Sequence, residues 1–293
     1  MINKLQKEVA ASYHNKTKKP VLGLIFGNGS AGRESAADPS IPRCIFAGGE
    51  ICAARKLAVS ECNTALIPSK YSARDTLYFV IYCRRMIITY HGGQCFKASF
   101  GDTTIAFSPA SKDSKNFNAP KFGADVALVS TKHPDFNGTE NASHGARQPF
   151  VIDGPGEYEI GEVTVQGFGV PTIYDGKPGW NTIYQVQLEG INMLFLGALS
   201  DPEIDPKILG ELGDIDVLFL PIGGGDVLEV PQASKLAVKL EAHVVIPMHY
   251  DAKALTAFLK EEGTENGKPQ EKFTIKKKDV VAMEGEIVVL SDK

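Results

Sequence analysis

The sequence contains no hydrophobic run long enough to cross a membrane, no excess of positive charge and no recognisable leader segment. A membrane-spanning helix needs about 20 apolar residues, whereas the apolar run near the amino terminus, Val21–Phe26, is short and begins late for a signal peptide. The formal net charge of −4 gives no electrostatic reason to expect a nucleic-acid partner. These absences predict a cytoplasmic protein with neither a membrane nor a nucleic acid as a partner.

The cysteines are few, and their spacing fits no zinc-binding pattern. Cys44, Cys52, Cys62 and Cys83 are separated by 8, 10 and 21 positions, and only Cys95 follows them. No C-x2-C pair of the kind that holds a structural zinc is therefore present. We expect these side chains to be reduced thiols, as in cytosolic proteins.

Several catalytic motifs are also missing or incomplete. The stretch "PIGGG" lacks the G-K-[ST] ending of a phosphate-binding loop, and no G-x-S-x-G elbow supports a serine hydrolase. Gly27, Gly29 and Gly32 match the dinucleotide pattern G-x-G-x-x-G. A dinucleotide site needs a helix to follow, but Pro39 and Pro42 leave room for two turns at most. The pattern favours an ordinary turn over a dinucleotide site.

The chain changes character at Met86. Residues 1–85 hold 13 Lys and Arg against 6 Asp and Glu, a net charge of +7, whereas residues 86–293 hold 18 against 29, a net of −11. In residues 1–85, helical, strand-like and Gly/Ser/Pro-rich pieces alternate in runs too short to build a core, which a small domain requires. We expect residues 1–85 to be a poorly structured extension rather than a domain, with residues 86–293 as one domain. Under a sharper hypothesis, Met86 is the natural start of the protein.

From Met86 onward, strand patterns come first and strand–helix–strand units follow. The stretches "DVLFLPIGGG" and "HVVIPMHY" are continuous apolar runs, typical of strands buried on both faces. Between them, Ala233, Leu236, Ala237 and Leu240 lie at i, i+3, i+4 and i+7, which predicts an amphipathic helix. This order predicts an α/β class with helices outside layered sheets.

The half from Met86 to about Asp251 resembles the metallo-β-lactamase superfamily, in particular its small metal-dependent hydrolases. The resemblance is carried by the stretches "MIITYHGGQCFKASF", "DVALVSTKHPDFNG", "GPGEYEIGEVTVQGFGV", "NTIYQVQLEGINMLFLG", "DVLFLPIGG" and "VVIPMHY". It implies an αββα sandwich with the functional site at one edge, where the loops at the strand ends converge.

The resemblance also implies which positions would ligate metal. Hydrolases of this family use H-x-H-x-D-H, a further His, a bridging Asp and a last His to hold two metal ions. In this sequence His133, Asp135 and His249 keep a ligand. By the family's arrangement His133 belongs to the first metal, and Asp135 and His249 belong to the second. A catalytic zinc normally has three protein ligands and a water, so neither metal would have a full set.

The remaining four ligand positions are substituted. They hold Thr131, Phe136, Tyr174 and Ala198, and Ala198 stands where the bridging Asp is expected. The family's early G-H-S-C-F reads "GGQCF", so that Gly93 replaces its histidine. The resemblance therefore implies a cleft that has lost most of its metal donors.

Two classes of function remain open. One is a catalytically silent relative that uses the cleft to bind an unknown small molecule or protein. The other is a zinc-dependent hydrolase with a mononuclear or substituted site, in which one weakly bound zinc or other divalent ion is held by His133, Asp135 and His249, with Asp135 as the candidate catalytic residue. Asn137, Tyr174 or Asp175 could complete such a site. In the simplest structural alternative, His133 is a hydrogen-bonded strand-end histidine and Asp135 is a helix cap.

Overall fold

The computed structural model describes four short strands in the first part of the chain and residues 85–293 apart from 144, 146, 147 and 265–267. The four strands are β1 (Arg43–Ile45), β2 (Ile51–Ala53), β3 (Asn63–Ile67) and β4 (Tyr78–Tyr82). They form two antiparallel pairs, β1 with β2 and β3 with β4. The glycine pattern at positions 27–32 lies outside the described residues. The expectation that residues 1–85 are not a domain stays a prediction.

Contacts divide the chain into two compact units, Met1–Arg84 and Arg85–Lys293. The strands of the second unit are β5 (Met86–Tyr90), β6 (Phe96–Phe100), β7 (Thr103–Phe107), β8 (Val126–Leu128), β9 (Phe150–Ile152), β10 (Gly156–Ile160), β11 (Val163–Tyr174), β12 (Lys177–Leu188), β13 (Ile191–Phe195), β14 (Val217–Pro221), β15 (Val244–Met248), β16 (Phe273–Ile275) and β17 (Glu286–Ile287). Its helices are α1 (Pro206–Glu211), α2 (Val230–Leu240), α3 (Ala252–Glu261) and α4 (Lys277–Val280), with a 3₁₀ helix at Thr139–Ala142.

These strands form two mixed sheets. One has seven strands in the order β10-β11-β12-β13-β14-β15-β17, and the other has six in the order β16-β5-β6-β7-β8-β9. In both sheets the chain begins with antiparallel hairpins and continues with parallel strands, β7 to β9 in one and β13 to β15 and β17 in the other. The predicted α/β class with two stacked sheets is confirmed.

The main core lies between the two sheets. Aromatic rings from both sheets interlock there: Phe96 lies 4.6 Å from Phe219, and Phe107 lies 5.2 Å from Phe195, between ring centroids. Every residue of β14 and β15 is buried, as the continuous apolar runs predicted. The burial of apolar side chains is the main favourable contribution to the free energy of folding.

Helices α1, α2 and α3 cover the outer face of the seven-stranded sheet. Helix α2 turns Ala233, Leu236 and Leu240 toward that sheet, as its periodicity predicted, and Phe258 of α3 packs into the same cluster. The amino-terminal end of α2 is closed by a capping box in which Glu229 and Gln232 bond each other's backbone N–H groups. The outer face of the six-stranded sheet is covered by a smaller alanine cluster that includes Ala142 of the 3₁₀ helix.

One lysine of the carboxy-terminal run, Lys276 to Lys278, makes an ion pair with a buried carboxylate. Lys277 begins α4, and its ammonium group donates to both carboxylate oxygens of Asp216, at 2.8 and 2.6 Å. The side chain of Asp216 is fully buried. A buried carboxylate is costly without a cationic partner, and this cost explains why Lys277 pairs with Asp216 while its own side chain stays partly exposed. Among the described residues, no helix is both long and apolar enough to span a membrane.

Candidate functional site

The candidate residues come together because they follow the ends of neighbouring strands. His133 and Asp135 lie on the loop after β8, Tyr174 ends β11, Ala198 follows β13, and His249 comes directly after β15. The carboxyl ends of parallel strands meet at one edge of a sheet, which is where such folds place their sites.

Asp135 accepts three side-chain hydrogen bonds at this edge. Its Oδ1 accepts from Ser114 Oγ at 2.6 Å, and its Oδ2 accepts from Asn116 Nδ2 at 2.8 Å and from the Tyr174 hydroxyl at 2.9 Å. Burial by itself would raise the pKa of Asp135, but these hydrogen bonds and the nearby His133 outweigh burial and hold the pKa below its ordinary value. Asp135 is therefore a buried carboxylate that stays ionised because three donors surround it.

Tyr174 is the donor that joins Asp135 to the rest of the site. Burial, followed by the hydrogen bond to Asp135 and its charge, raises the pKa of Tyr174 far above the ordinary value. The phenol therefore keeps its proton and remains a hydrogen-bond donor at neutral pH. Its ring also packs edge-on against His133, with centroids 4.9 Å apart.

His133 is fixed mainly through its own loop. Its Nδ1 accepts the backbone N–H of Asp135 at 3.3 Å and lies 3.5 Å from Asp135 Oδ2. An imidazole that accepts at Nδ1 carries its remaining proton on Nε2 when it is neutral. His133 is therefore a hydrogen-bonded histidine of the loop after β8.

His249 is held in an unusual backbone conformation, with φ of +51°. Its N–H donates to the Gly93 carbonyl at 2.7 Å, and its Nδ1 lies 3.3 Å from the side-chain nitrogen of Gln94. Burial lowers the pKa of His249 to about 4, although Asp135 and Asp226 act in the opposite direction. The imidazole is thus neutral at pH 7.

Apolar side chains lie between His133, Asp135 and His249, the three residues that keep a ligand of the family pattern. We call this group the aromatic plug, and it comprises Phe117, Phe136, Tyr174, Ala198 and Val227. The Phe136 ring is fully buried and lies 4.8 Å from the Tyr174 ring and 6.0 Å from the His249 ring. The Tyr174 and His249 rings are 5.9 Å apart. The substituted positions thus form a small packed core of their own at the edge of the sheets.

Phe117 occupies space that the glycine at position 93 leaves open. A Cβ atom on Gly93 would lie 2.8 Å from the Phe117 ring, which is closer than any real contact of this kind. The Phe117 ring also packs edge-on against His249 at 5.4 Å. Where the family pattern expects a histidine, this chain has a glycine with an aromatic ring packed against it.

The fourth substituted position, Thr131, belongs to a polar network beneath the plug. Asn181 is fully buried, and its Oδ1 accepts from the Ala198 N–H at 2.8 Å and from Thr131 Oγ1 at 3.4 Å. Its Nδ2 donates to the Leu196 carbonyl at 2.9 Å. The network fixes the backbone at Ala198, where the family would carry its bridging carboxylate.

Sequence reasoning missed the residues that complete this site: Gln94, Ser114, Asn116, Phe117 and Asn181. Ser114, Asn116 and Phe117 lie on a loop with no periodic pattern, so only the fold brings them to Asp135 and Gly93. Asn181 had one available signal, because an asparagine in the middle of an apolar strand needs partners for its amide.

The two-metal arrangement of the family needs His and Asp side chains as metal ligands. Among the described ranges, no three side chains of His, Cys, Asp or Glu are grouped so that they could hold a metal ion. Both oxygens of Asp135 are already engaged, and Ala198 offers no side-chain donor. The side chains present here do not fit a two-metal centre.

Comparison with known proteins places the chain in a family. The model of the beta-lactamase superfamily domain matches residues 87–249, more than half of the chain. The chain therefore belongs to the metallo-β-lactamase superfamily, as the sequence resemblance predicted. Within it, the chain belongs to the UPF0173 metal-dependent hydrolase family. A member from Listeria monocytogenes serotype 4b (strain F2365) is 31% identical over 202 residues, which cover 59% of this chain and 88% of the relative.

Other relatives give the same assignment. A UPF0173 metal-dependent hydrolase from Listeria innocua is 31% identical over 196 residues, covering 57% of this chain and 86% of the relative. A crystal structure from Thermotoga maritima, assigned to the Zn-dependent hydrolases of the metallo-β-lactamase superfamily, matches with a TM-score of 0.58 and 29% identity over 71% of this chain and all of that one. These relatives are named for metal-dependent or zinc-dependent hydrolysis.

Proposed function

We propose that this chain is a catalytically silent member of its hydrolase family, in which the aromatic plug replaces the metal centre and the cleft serves to bind a small molecule or a protein. The observation that carries the proposal is the hydrogen bonding of Asp135. Ser114, Asn116 and Tyr174 donate to its two oxygens, so the carboxylate that would ligate metal is used to hold the site together.

The energetics of metal binding support the same conclusion. A structural zinc with four good ligands is worth on the order of 10 kcal/mol in apparent binding free energy. Here the retained donors are split between two metal positions, and the missing carboxylate at Ala198 removes the charge that would offset two dications held close together. Most of that binding free energy must therefore be absent.

Two of the three retained side chains are also poor general bases without a metal. A general base works best when its pKa lies near the operating pH. The pKa of Asp135 is below its ordinary value, and that of His249 is lowered to about 4, so both are weak bases at neutral pH. We expect hydrolysis of lactam, lactone, thioester and phosphodiester substrates to stay near background.

The alternative is a zinc-dependent hydrolase with a mononuclear or substituted site. It is favoured by the family, whose named relatives are metal-dependent, and by the position of Tyr174 beside all three retained donors. Metal binding would then require Tyr174 and Asn116 to give up their bonds to Asp135.

Metal analysis separates the two proposals. The protein is purified without added metal, and its zinc content is measured beside a variant that restores the family pattern, Thr131→His with Phe136→His, Tyr174→His and Ala198→Asp. We expect much less than one zinc per chain in the unmodified protein and a clear gain in the variant, provided that the surrounding side chains support the new ligands.

A control variant and an activity assay complete this test. His249→Ala should leave the metal content of the unmodified protein unchanged if no site exists. Two results together would contradict the proposal of a catalytically silent protein and support the zinc-dependent alternative. The first is one or two tightly held zinc ions per unmodified chain that are lost in His249→Ala. The second is hydrolysis that chelation abolishes.

A further inference from the structure

A second concave site lies far from the aromatic plug. It is a cavity of about 370 Å³ between α2, α3 and the turn that precedes β17. His243 lines it and directly precedes β15, whereas His249 directly follows that strand. With a rise of about 3.3 Å per residue, the two histidines are roughly 20 Å apart, at opposite ends of one strand. Ligand binding at this cavity can therefore be measured independently of whether His133, Asp135 and His249 bind a metal ion.

The floor of the cavity is apolar. Phe258, Ala242 and Val245 are buried side chains that line it, and Met283 and Ile287 contribute further apolar surface. Val238 also lines the cavity, although it lies on an outer turn of α2 and is 71% exposed. The volume falls within the range of about 300–1,000 Å³ typical of small-molecule sites, which combine apolar walls with a few polar groups.

The polar side chains that line the cavity are three carboxylates and one histidine. The carboxylates are those of Glu241, Glu262 and Glu284. The histidine is His243, whose Nδ1 lies 2.9 Å from the Met283 carbonyl. A carbonyl only accepts, so His243 donates through Nδ1. None of the described residues that line the cavity is Lys or Arg.

This combination defines the chemistry of a ligand. An apolar floor selects a hydrophobic body, and a set of carboxylates without a lining cation selects a positively charged group that donates hydrogen bonds. These carboxylates would repel an anionic ligand of the same shape, and a neutral ligand would gain no ion pair from them. Glu262 already accepts from Ser234 Oγ, which leaves Glu241 and Glu284 as the carboxylates with no hydrogen bond to protein side chains in this region.

We propose that this cavity binds a small organic cation in which an ammonium or guanidinium group is carried on an apolar body. The apolar part packs on Phe258 and Val245, and the cationic group lies between Glu241 and Glu284. The walls come from the ends of two packed helices and a short edge strand. Glu286 of that strand donates its N–H to the His243 carbonyl at 3.0 Å, which fixes the turn that bears Glu284.

The test uses phenethylammonium as the probe and 2-phenylethanol, its neutral isostere, as the matched ligand. Binding to the full chain is measured by NMR shifts of side-chain methyl groups, with Val238, Met283 and Ile287 reporting on the cavity. We expect the amine to bind at least fivefold more tightly than the alcohol. The double substitution Glu241→Gln with Glu284→Gln should weaken amine binding about threefold to tenfold, as expected for two partly exposed ion pairs, and should leave alcohol binding unchanged.

The matched control is Glu261→Gln, which removes a carboxylate from the exposed end of α3 without touching the cavity, and it should leave amine binding unchanged. Three results would overturn the proposal: equal affinity for the amine and the alcohol, amine binding unaffected by the double substitution, or no shift of the cavity methyl groups up to about 10 mM amine. Glutamine is close in size to glutamate, so a thermal melt of each variant verifies folding before binding is compared.

Discussion

At the scale of single residues, Asp135 joins separate segments of the chain through its hydrogen bonds. In this chain its lone pairs accept from Ser114, Asn116 and Tyr174, which come from two separate segments. One carboxylate thus joins the loop after β7, the loop after β8 and the end of β11.

Removal of a single hydroxyl tests this role. In Tyr174→Phe the ring keeps its packing in the aromatic plug, but buried Asp135 loses one of its three donors. A hydrogen bond to a charged group contributes about 1.5–3 kcal/mol, so we expect a loss of this size in the free energy of unfolding, measured with urea. Tyr158→Phe is the matched control, because its hydroxyl donates only to backbone carbonyls at 3.3 Å. Equal losses in the two variants would contradict this role of Asp135.

His91 should make stability depend on pH. Burial, followed by the charges of Lys293 and Lys97, lowers the pKa of His91 from 6.5 to about 4. Between these two values the unfolded chain binds more protons than the folded one, so stability falls as the pH falls from 6.5 toward 4. We expect His91→Gln to become more stable relative to the unmodified protein at pH 4.5 than at pH 7.5, in urea unfolding. A difference that is the same at both pH values would show that His91 is not responsible.

At the scale of elements, the loop after β13 depends on a glycine. Gly197 has φ of +60°, and a Cβ atom there would lie 2.4 Å from Asn181 Oδ1 and 2.6 Å from Ser130 Cβ. Asn181 in turn holds the Ala198 N–H. The close packing of this loop is what places Ala198 within the aromatic plug.

Two glycine substitutions separate the free-energy cost of a left-handed backbone from the cost of steric crowding. Gly190 also has positive φ, +73°, but a Cβ atom there would meet nothing within 4 Å. Gly190→Ala should cost about 1–2 kcal/mol for the left-handed backbone alone. Gly197→Ala should cost that amount plus about 1–3 kcal/mol for overpacking. Urea unfolding of both variants measures the difference, and similar values for the two would mean that the loop can move aside.

At the scale of the whole molecule, the two regions of the chain differ in charge and in what the family covers. Residues 1–85 carry a net charge of +7, and residues 86–293 carry −11. The superfamily model matches residues 87–249, all within the second region. The seven-stranded and six-stranded sheets are also built from residues of the second region.

We predict that residues 86–293 fold without the first region. A chain that begins at Met86 should melt within about 3 °C of the full chain, because a loss of 1 kcal/mol shifts the melting temperature by about 2–4 °C at this size. The control is a chain that begins at His91 and lacks β5, which lies between β16 and β6 and contributes to the main core. That chain should not fold. A far lower melting temperature or insolubility for the chain that begins at Met86 would show that the first region belongs to the domain.

The sequence by itself determined the family and the order of the strands, and it indicated which residues stand at the positions of the family's metal-ligand pattern. These features depend on local hydrophobic patterns and on motif spacing, both of which are visible along the chain. The buried strands β14 and β15 and the amphipathic helix α2 were predicted in this way because each pattern is complete within about a dozen residues.

Only the tertiary structure decided what fills the substituted site. Asp135 meets a hydroxyl 39 positions away in Tyr174, and Lys277 meets Asp216 across 61 positions. Phe117 packs against Gly93 from a loop with no periodicity. The chemistry of a buried polar side chain predicts that it needs a hydrogen-bond partner. Which distant residue is that partner depends on the fold. The sequence therefore indicated which residues stand at the ligand positions of the family pattern, and the packing of the loops decided which side chains surround them.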